Sequence, residues 1–307
     1  MPNPPQTKPD TSKHSSETRT LLSYKEIPPW HQDNDYILHG YRPISNSSLE
    51  CLTSWSYLHN ETVNIFSHLI PALLALAIAL ALETVNRKFF LFYYPEATRG
   101  DIIAFTFYLL SASLCLGIST AYHTLMNHSE LVSNLWLRMD FLGIIILIEG
   151  CFVSGIYVTF YCEPSLQRLY WGMIVTLGIL TALVVVNPKC QGRRWRTFRL
   201  SLFVATGLSA VAPICHGLKL FGWDQMNKYS GLPYYLLEGL LLVVGAYFYN
   251  TRIPETFKPG AFDIWGSSHQ IFHLLVVSAA AVHLYGIWSA FDYNYTQRRC
   301  APGLVGL

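Results

Sequence analysis

Seven long apolar segments limit what this chain can fold into more than any other feature. Each is long enough, or nearly so, to cross a hydrocarbon core, which takes roughly 20 helical residues. They cover Val63–Leu82, Ile102–Tyr122, Phe141–Tyr161, Tyr170–Val186, Leu200–Leu220, Pro233–Tyr249 and Ile271–Ala290. Charged residues make up only 13% of the chain, against ~25% in soluble domains. The pattern predicts an all-α integral membrane protein with seven transmembrane helices.

The distribution of Lys and Arg predicts how these helices cross the bilayer. Cytoplasmic loops carry an excess of both residues. If the N-terminus is cytoplasmic, 13 of the 21 Lys and Arg residues fall on the inner side, five of them between Lys189 and Arg199. We therefore expect a cytoplasmic N-terminus and, after seven spans, a C-terminus outside. Either the plasma membrane or the endoplasmic reticulum is compatible with this arrangement.

Composition divides the chain into four parts. Residues 1–25 are rich in Pro, Ser, Thr and Lys, which is typical of a disordered tail. Residues 26–61 form a cytoplasmic juxtamembrane segment, 62–290 the seven-helix domain, and 291–307 a short outer tail. The net charge of +2 gives no sign of nucleic-acid binding. The seven cysteines contain no CxxC pair and imply no disulfide framework. Oligomeric state is left open.

Five polar residues converge on the predicted inner side. His269 and His273 are four residues apart, so a helix presents both on one face. The second span ends at Ser119 and His123 on that side, and the third begins there at Asp140. Three imidazoles with an open position are typical of catalytic zinc. We expect His123, His269 and His273 to bind a zinc ion (Zn2+), with Asp140 accepting a proton from the zinc-bound water. The Ser119 hydroxyl would either orient the imidazole or donate to an oxyanion.

Simpler interpretations exist for several polar residues. An isolated histidine at a helix end is usually interfacial, and Ser119 could bond the carbonyl four residues before it. His68 suits either a fourth metal ligand or, preferably, a hydrogen bond to Asn64. Glu238, like Glu149, is compatible with a polar bridge or a cavity lining. His283 is expected at the outer interface.

The motifs resemble those of one membrane protein family, the progestin and adipoQ receptors, which include adiponectin receptors and haemolysin III-like proteins. The resemblance runs from about Pro28 to Tyr285, and the N-terminal tail is most similar to fungal zinc-homeostasis homologues. It rests on residues 31–43, 59–68, 122–129, 140–144 and 262–273.

This resemblance implies a seven-helix fold with zinc near the inner leaflet, held by His123, His269 and His273, with Asp140 holding water and Ser119 nearby. The wider superfamily includes alkaline ceramidases. One hypothesis is therefore hydrolysis of a ceramide-like lipid amide, which releases a free fatty acid. The other is a receptor for an extracellular protein, with structural zinc. A zinc transporter is disfavoured because the polar groups lie at one side.

Overall fold

The computed structural model describes residues 21–84, 86–297 and 300, without the side chains of 86–89. The α-helices are α1 (Ser48–Thr53), α2 (Thr62–Glu83), α3 (Asn86–Tyr93), α4 (Arg99–Leu125), α5 (Glu130–Thr159), α6 (Pro164–Val185), α7 (Arg196–Leu208), α8 (Val211–Ser230), α9 (Leu232–Thr251) and α10 (Ser268–Gln297). Short 3-10 helices cover Pro29–His31, Ser54–Ser56, Pro188–Cys190 and Arg193–Trp195. Within the described residues, β pairing is limited to one antiparallel bridge between Leu22 and Tyr41.

The prediction of seven membrane-spanning helices is confirmed. Six spans are single helices, and α7 and α8 together form the fifth. Helix α5 begins at Glu130, well before the predicted start at residue 141. Because each helical residue adds ~1.5 Å, Asp140 lies nearly three turns inside the helix. The expectation that the third helix begins at Asp140 is therefore wrong.

Small residues let the central helices approach closely. Helix α4 is the most enclosed span and packs between α2 and α5. A Cβ atom on Gly150 would lie 2.5 Å from the Ser111 Cβ, and one on Gly143 would lie 3.2 Å from the Cys115 Cα. Membrane helices associate through such close packing because lipid supplies no hydrophobic driving force. This contact fixes α5, and hence Asp140, against the end of α4.

The segment before α2 packs across one end of the helix bundle. Ile27, Ile37 and Tyr41 form a small buried cluster there. The Asp263 carboxylate accepts hydrogen bonds from the backbone N–H groups of Leu38 and His39, at 2.8 and 2.9 Å. Residues 21–25, predicted as disordered tail, belong to this packed segment, because Leu22 and Tyr24 contact the cluster. Residues 1–20 of that tail lie outside the described residues.

A disulfide joins Cys162, just after α5, to Cys300, beyond α10. The sequence did not indicate this bond, because the two cysteines are separated by 138 residues. Disulfides form and persist in oxidising compartments. The bond lies at the end of the bundle opposite His269, which is the end predicted to face outside.

Candidate metal centre

Three histidines from two helices meet at one end of the bundle. His123 is near the end of α4, and His269 and His273 are in the first two turns of α10. One nitrogen from each lies within 4.8 Å of the others, and the Nε2 atoms of His123 and His269 are 3.3 Å apart. Two nitrogens bound to tetrahedral zinc at roughly 2.0–2.1 Å would be about 3.3 Å apart. The donor set and its spacing therefore fit a zinc ion.

A buried arginine holds the end of α4. Arg42, from the juxtamembrane segment, is only 2% exposed. Its guanidinium donates to the carbonyls of His123 and Thr124, at 2.6 and 3.0 Å, and to the Ser54 hydroxyl. The last carbonyls of a helix lack partners and carry partial negative charge, so a cation stabilises them. Arg42 thereby fixes the backbone that carries His123.

A buried carboxylate stabilises the N-terminal end of α10. Glu255 accepts a 2.8 Å hydrogen bond from the Ser268 N–H and further bonds from the Ser268 hydroxyl and the Asn34 amide. The first N–H groups of a helix carry partial positive charge, which a carboxylate stabilises. Since Ser268 directly precedes His269, Glu255 fixes the start of the helix that carries both His269 and His273.

Sequence reasoning missed one carboxylate that contacts the histidine cluster. Glu61 Oε2 lies 2.7 Å from His123 Nδ1 and accepts a hydrogen bond from the Asn64 amide. Burial tends to raise the pKa of Glu61, but the hydrogen bonds from His123 and Asn64 lower it more, so the pKa is below its usual range. Metal-binding histidines commonly give their second nitrogen to a carboxylate. Glu61 can therefore leave His123 Nε2 free to face the metal.

The remaining predicted residues lie beside this cluster. Ser119 is buried, and its hydroxyl interacts with the Asp140 carboxylate. His68 stacks on His273, with ring centroids 3.7 Å apart, and neither of its nitrogens has a hydrogen-bond partner among the described residues. The expected hydrogen bond from His68 to Asn64 is therefore wrong. Asn64 instead donates to Glu61, the residue one turn before it.

A cavity of about 530 Å³ extends from the histidine cluster into the bundle. Asp140, Ser119, His269 and His273 lie at one end, and the wall beyond them is largely apolar. Part of the wall is also more than half exposed on the outside of the bundle, at Leu208, Val211, Leu236 and Val243. These side chains belong to α7, α8 and α9, on a surface that would face lipid. The cavity is thus suited to an apolar chain that enters from the membrane.

Glu238, whose role the sequence left open, meets His283 in the same cavity. His283 is 2% exposed, and its Nδ1 lies 2.7 Å from Glu238 Oε2. The expectation that His283 lies at the interface is wrong, because it occupies the middle of α10. Glu149 lies elsewhere, against Gly178 of α6.

Comparison with known proteins identifies the family of this chain. Residues 56–284 match the family model described as haemolysin-III related. This chain belongs to that family. It is 39% identical to the ADIPOR-like receptor IZH2 of Saccharomyces cerevisiae over 92% of this chain and 88% of that protein. It is 37% identical to the adiponectin receptor protein of Drosophila melanogaster, over 91% of this chain and 62% of that protein. Heptahelical transmembrane protein 3 of Arabidopsis thaliana is 32% identical, over 95% and 93%.

Proposed function

We propose that this protein is a zinc-dependent hydrolase of ceramide-like lipid amides in a cell membrane, with a role in lipid metabolism and zinc homeostasis. One observation supports this most strongly. Three histidine nitrogens lie within shared-ligand distance at the end of an apolar cavity that reaches the lipid-facing surface. A purely structural metal needs neither a cavity beside it nor a lateral opening.

Each residue of the site has a separate role in the proposed reaction. His123, His269 and His273 would hold zinc, which lowers the pKa of a bound water molecule to about 7. Asp140 accepts a proton from the attacking water and delivers it to the departing amine. Ser119 donates a hydrogen bond to the negative oxygen that develops on the amide carbonyl. The apolar wall holds the acyl chain, and the products are a sphingoid base and a free fatty acid.

The decisive measurement is fatty acid release from ceramide by the purified protein, together with its zinc content. Asp140→Ala should lower turnover by about 10²- to 10⁴-fold, the usual contribution of a general acid and base, while zinc stays bound. Asp224→Ala is the matched control, because Asp224 is an exposed carboxylate on α8. Undiminished turnover in the Asp140 variant would overturn the mechanism.

A receptor function is the second candidate, and the names of the yeast and fly relatives, both called receptors, favour it. In this case an extracellular protein would bind the outer loops, and zinc would hold α4 and α10 together. His269→Ala would then lower thermal stability without preventing ligand binding. The two functions are compatible if the outer ligand stimulates hydrolysis.

A further inference from the structure

A second polar cluster lies deep in the cavity, remote from the three histidines. It combines His283 of α10, Glu238 of α9, and Cys151 and Ser154 of α5. His283 contacts Glu238 through Nδ1 and Ser154 Oγ through Nε2, the latter at 3.0 Å. The rings of Tyr108 and Tyr235 pack against the imidazole. The proposed hydrolysis makes no use of these groups.

The hydrogen bonds determine the charge of the cluster. Ser154 donates its hydroxyl proton to the Gly150 carbonyl, at 2.7 Å. With the hydroxyl proton on that carbonyl, the Ser154 oxygen accepts from His283 Nε2, and this nitrogen carries a proton. A single further proton lies between His283 Nδ1 and Glu238 Oε2. Whichever atom holds it, the pair is neutral overall, which avoids the high cost of a net charge at membrane depth.

Glu238 still has hydrogen-bonding capacity after this pairing. A carboxylate offers about four lone-pair sites, and His283 occupies one of them. The neighbouring Cys151 thiol, which also interacts with Glu238, is only a weak donor. Glu238, Cys151 and His283 all line the cavity. A neutral ligand hydroxyl could therefore donate to Glu238, whereas a charged ligand group would lack a counter-charge.

We propose that the cavity recognises a lipid whose chain carries a hydroxyl group toward its far end. His283 lies ten residues beyond His273 on the same helix, which separates the two sites by about 15 Å. With the carboxyl or amide end of the lipid at the metal centre, only a hydroxyl far along the chain reaches Glu238. This inference rests on the proposed function, because it assumes that a lipid lies in the cavity with its reactive end at the histidines.

The test is binding of fatty acids to the purified, zinc-loaded protein. The ligands are the unsubstituted, α-hydroxy and ω-hydroxy forms of lauric, myristic and palmitic acid. At the best-fitting chain length, the ω-hydroxy acid should bind about 3- to 10-fold more tightly than the unsubstituted acid, as expected for one net hydrogen bond. The α-hydroxy acid should show no such gain, because its hydroxyl stays at the metal end.

Substitution of the carboxylate should remove the preference but leave the cavity able to bind lipid. Glu238→Met is expected to bind ω-hydroxy acids no more tightly than unsubstituted acids, because the ligand hydroxyl loses its acceptor. Glu149→Met is the matched control, since it removes an intramembrane carboxylate that lies against Gly178, and it should keep the preference. Zinc content and melting temperature establish that both variants are folded.

The outcomes separate this inference from the proposed function. If unsubstituted acids bind and no ω-hydroxy acid binds more tightly to the unaltered protein, the inference is wrong and the proposed function stands. A preference that survives in Glu238→Met also overturns it. Failure of every fatty acid to bind contradicts the proposed function itself. A second equivalent of zinc that is lost in Glu238→Met would show that the cluster is a metal site.

Discussion

A metal-binding histidine uses one ring nitrogen for the metal, and the hydrogen-bond partner of its other nitrogen affects how well the metal is bound. At His123 this nitrogen is Nδ1, and it lies 2.7 Å from the Glu61 carboxylate. His273 has the weaker Ser67 hydroxyl in the same role, at 3.3 Å. The Glu61 carboxylate therefore fixes the orientation and tautomer of His123 more firmly than the Ser67 hydroxyl fixes those of His273.

Removing the Glu61 carboxylate should weaken zinc binding without removing a ligand. We expect Glu61→Ala to lower zinc affinity by about 10- to 100-fold, and Glu61→Gln to lower it less, because the amide oxygen still accepts from Nδ1. Competition with a chelator of known affinity measures the change. Glu50→Gln, at an exposed carboxylate of α1, should bind zinc like the unaltered protein. Unchanged affinity in Glu61→Ala would show that Glu61 does not position His123.

The same residues show how far the sequence predicts the site. The spacing of His269 and His273 is local, so helical geometry alone predicts a shared face. Their meeting with His123 follows from the order in which the spans cross the membrane. The contact between Glu61 and His123 joins residues 62 positions apart, and no periodicity indicates it. The pairing of His283 with Glu238 joins residues 45 positions apart, and no local pattern in the sequence predicts it either.

At the scale of helices, charges at two helix ends hold the histidine cluster. Arg42 lies at the C-terminus of α4, and Glu255 lies at the N-terminus of α10. Each side chain has the sign that its helix end favours. Hydropathy predicts the spans well, because a membrane helix satisfies its own backbone hydrogen bonds. It does not predict the segment that supplies Arg42, which is held by distant contacts such as that between Leu38 and Asp263.

Removing the Arg42 guanidinium should destabilise this end of the bundle. Arg42→Met keeps most of the apolar stem but leaves buried carbonyl groups at His123 and Thr124 without their donor. Each such group costs about 1–3 kcal/mol. We expect a lower melting temperature in detergent and weaker zinc binding. Arg194→Met is the control, because Arg194 is exposed and packs over Trp195. Equal melting temperatures for the two variants would contradict a capping role for Arg42.

Across the whole molecule, the two ends of the bundle differ in chemistry. The end that carries the histidine cluster also carries the basic segment Lys189–Arg199, which the distribution of Lys and Arg predicts to be cytoplasmic. The opposite end carries the disulfide between Cys162 and Cys300, and such bonds form and persist in oxidising compartments. These two observations are independent, and they favour the same orientation, with the candidate metal centre near the inner leaflet.

This orientation predicts opposite labelling of cysteines at the two ends. In sealed cells that carry the protein in the plasma membrane, a membrane-impermeant maleimide should label Cys162 and Cys300 only after an impermeant reductant has opened the disulfide. Cys190, a free half-buried cysteine in the basic segment, should be labelled only after the membrane is permeabilised. Cys190→Ser identifies its share of the label.

Labelling of Cys190 in sealed cells would place the basic segment outside and reverse the predicted orientation. The proposed hydrolase would then release its products at the outer leaflet, because the metal centre and the basic segment lie at the same end of the bundle.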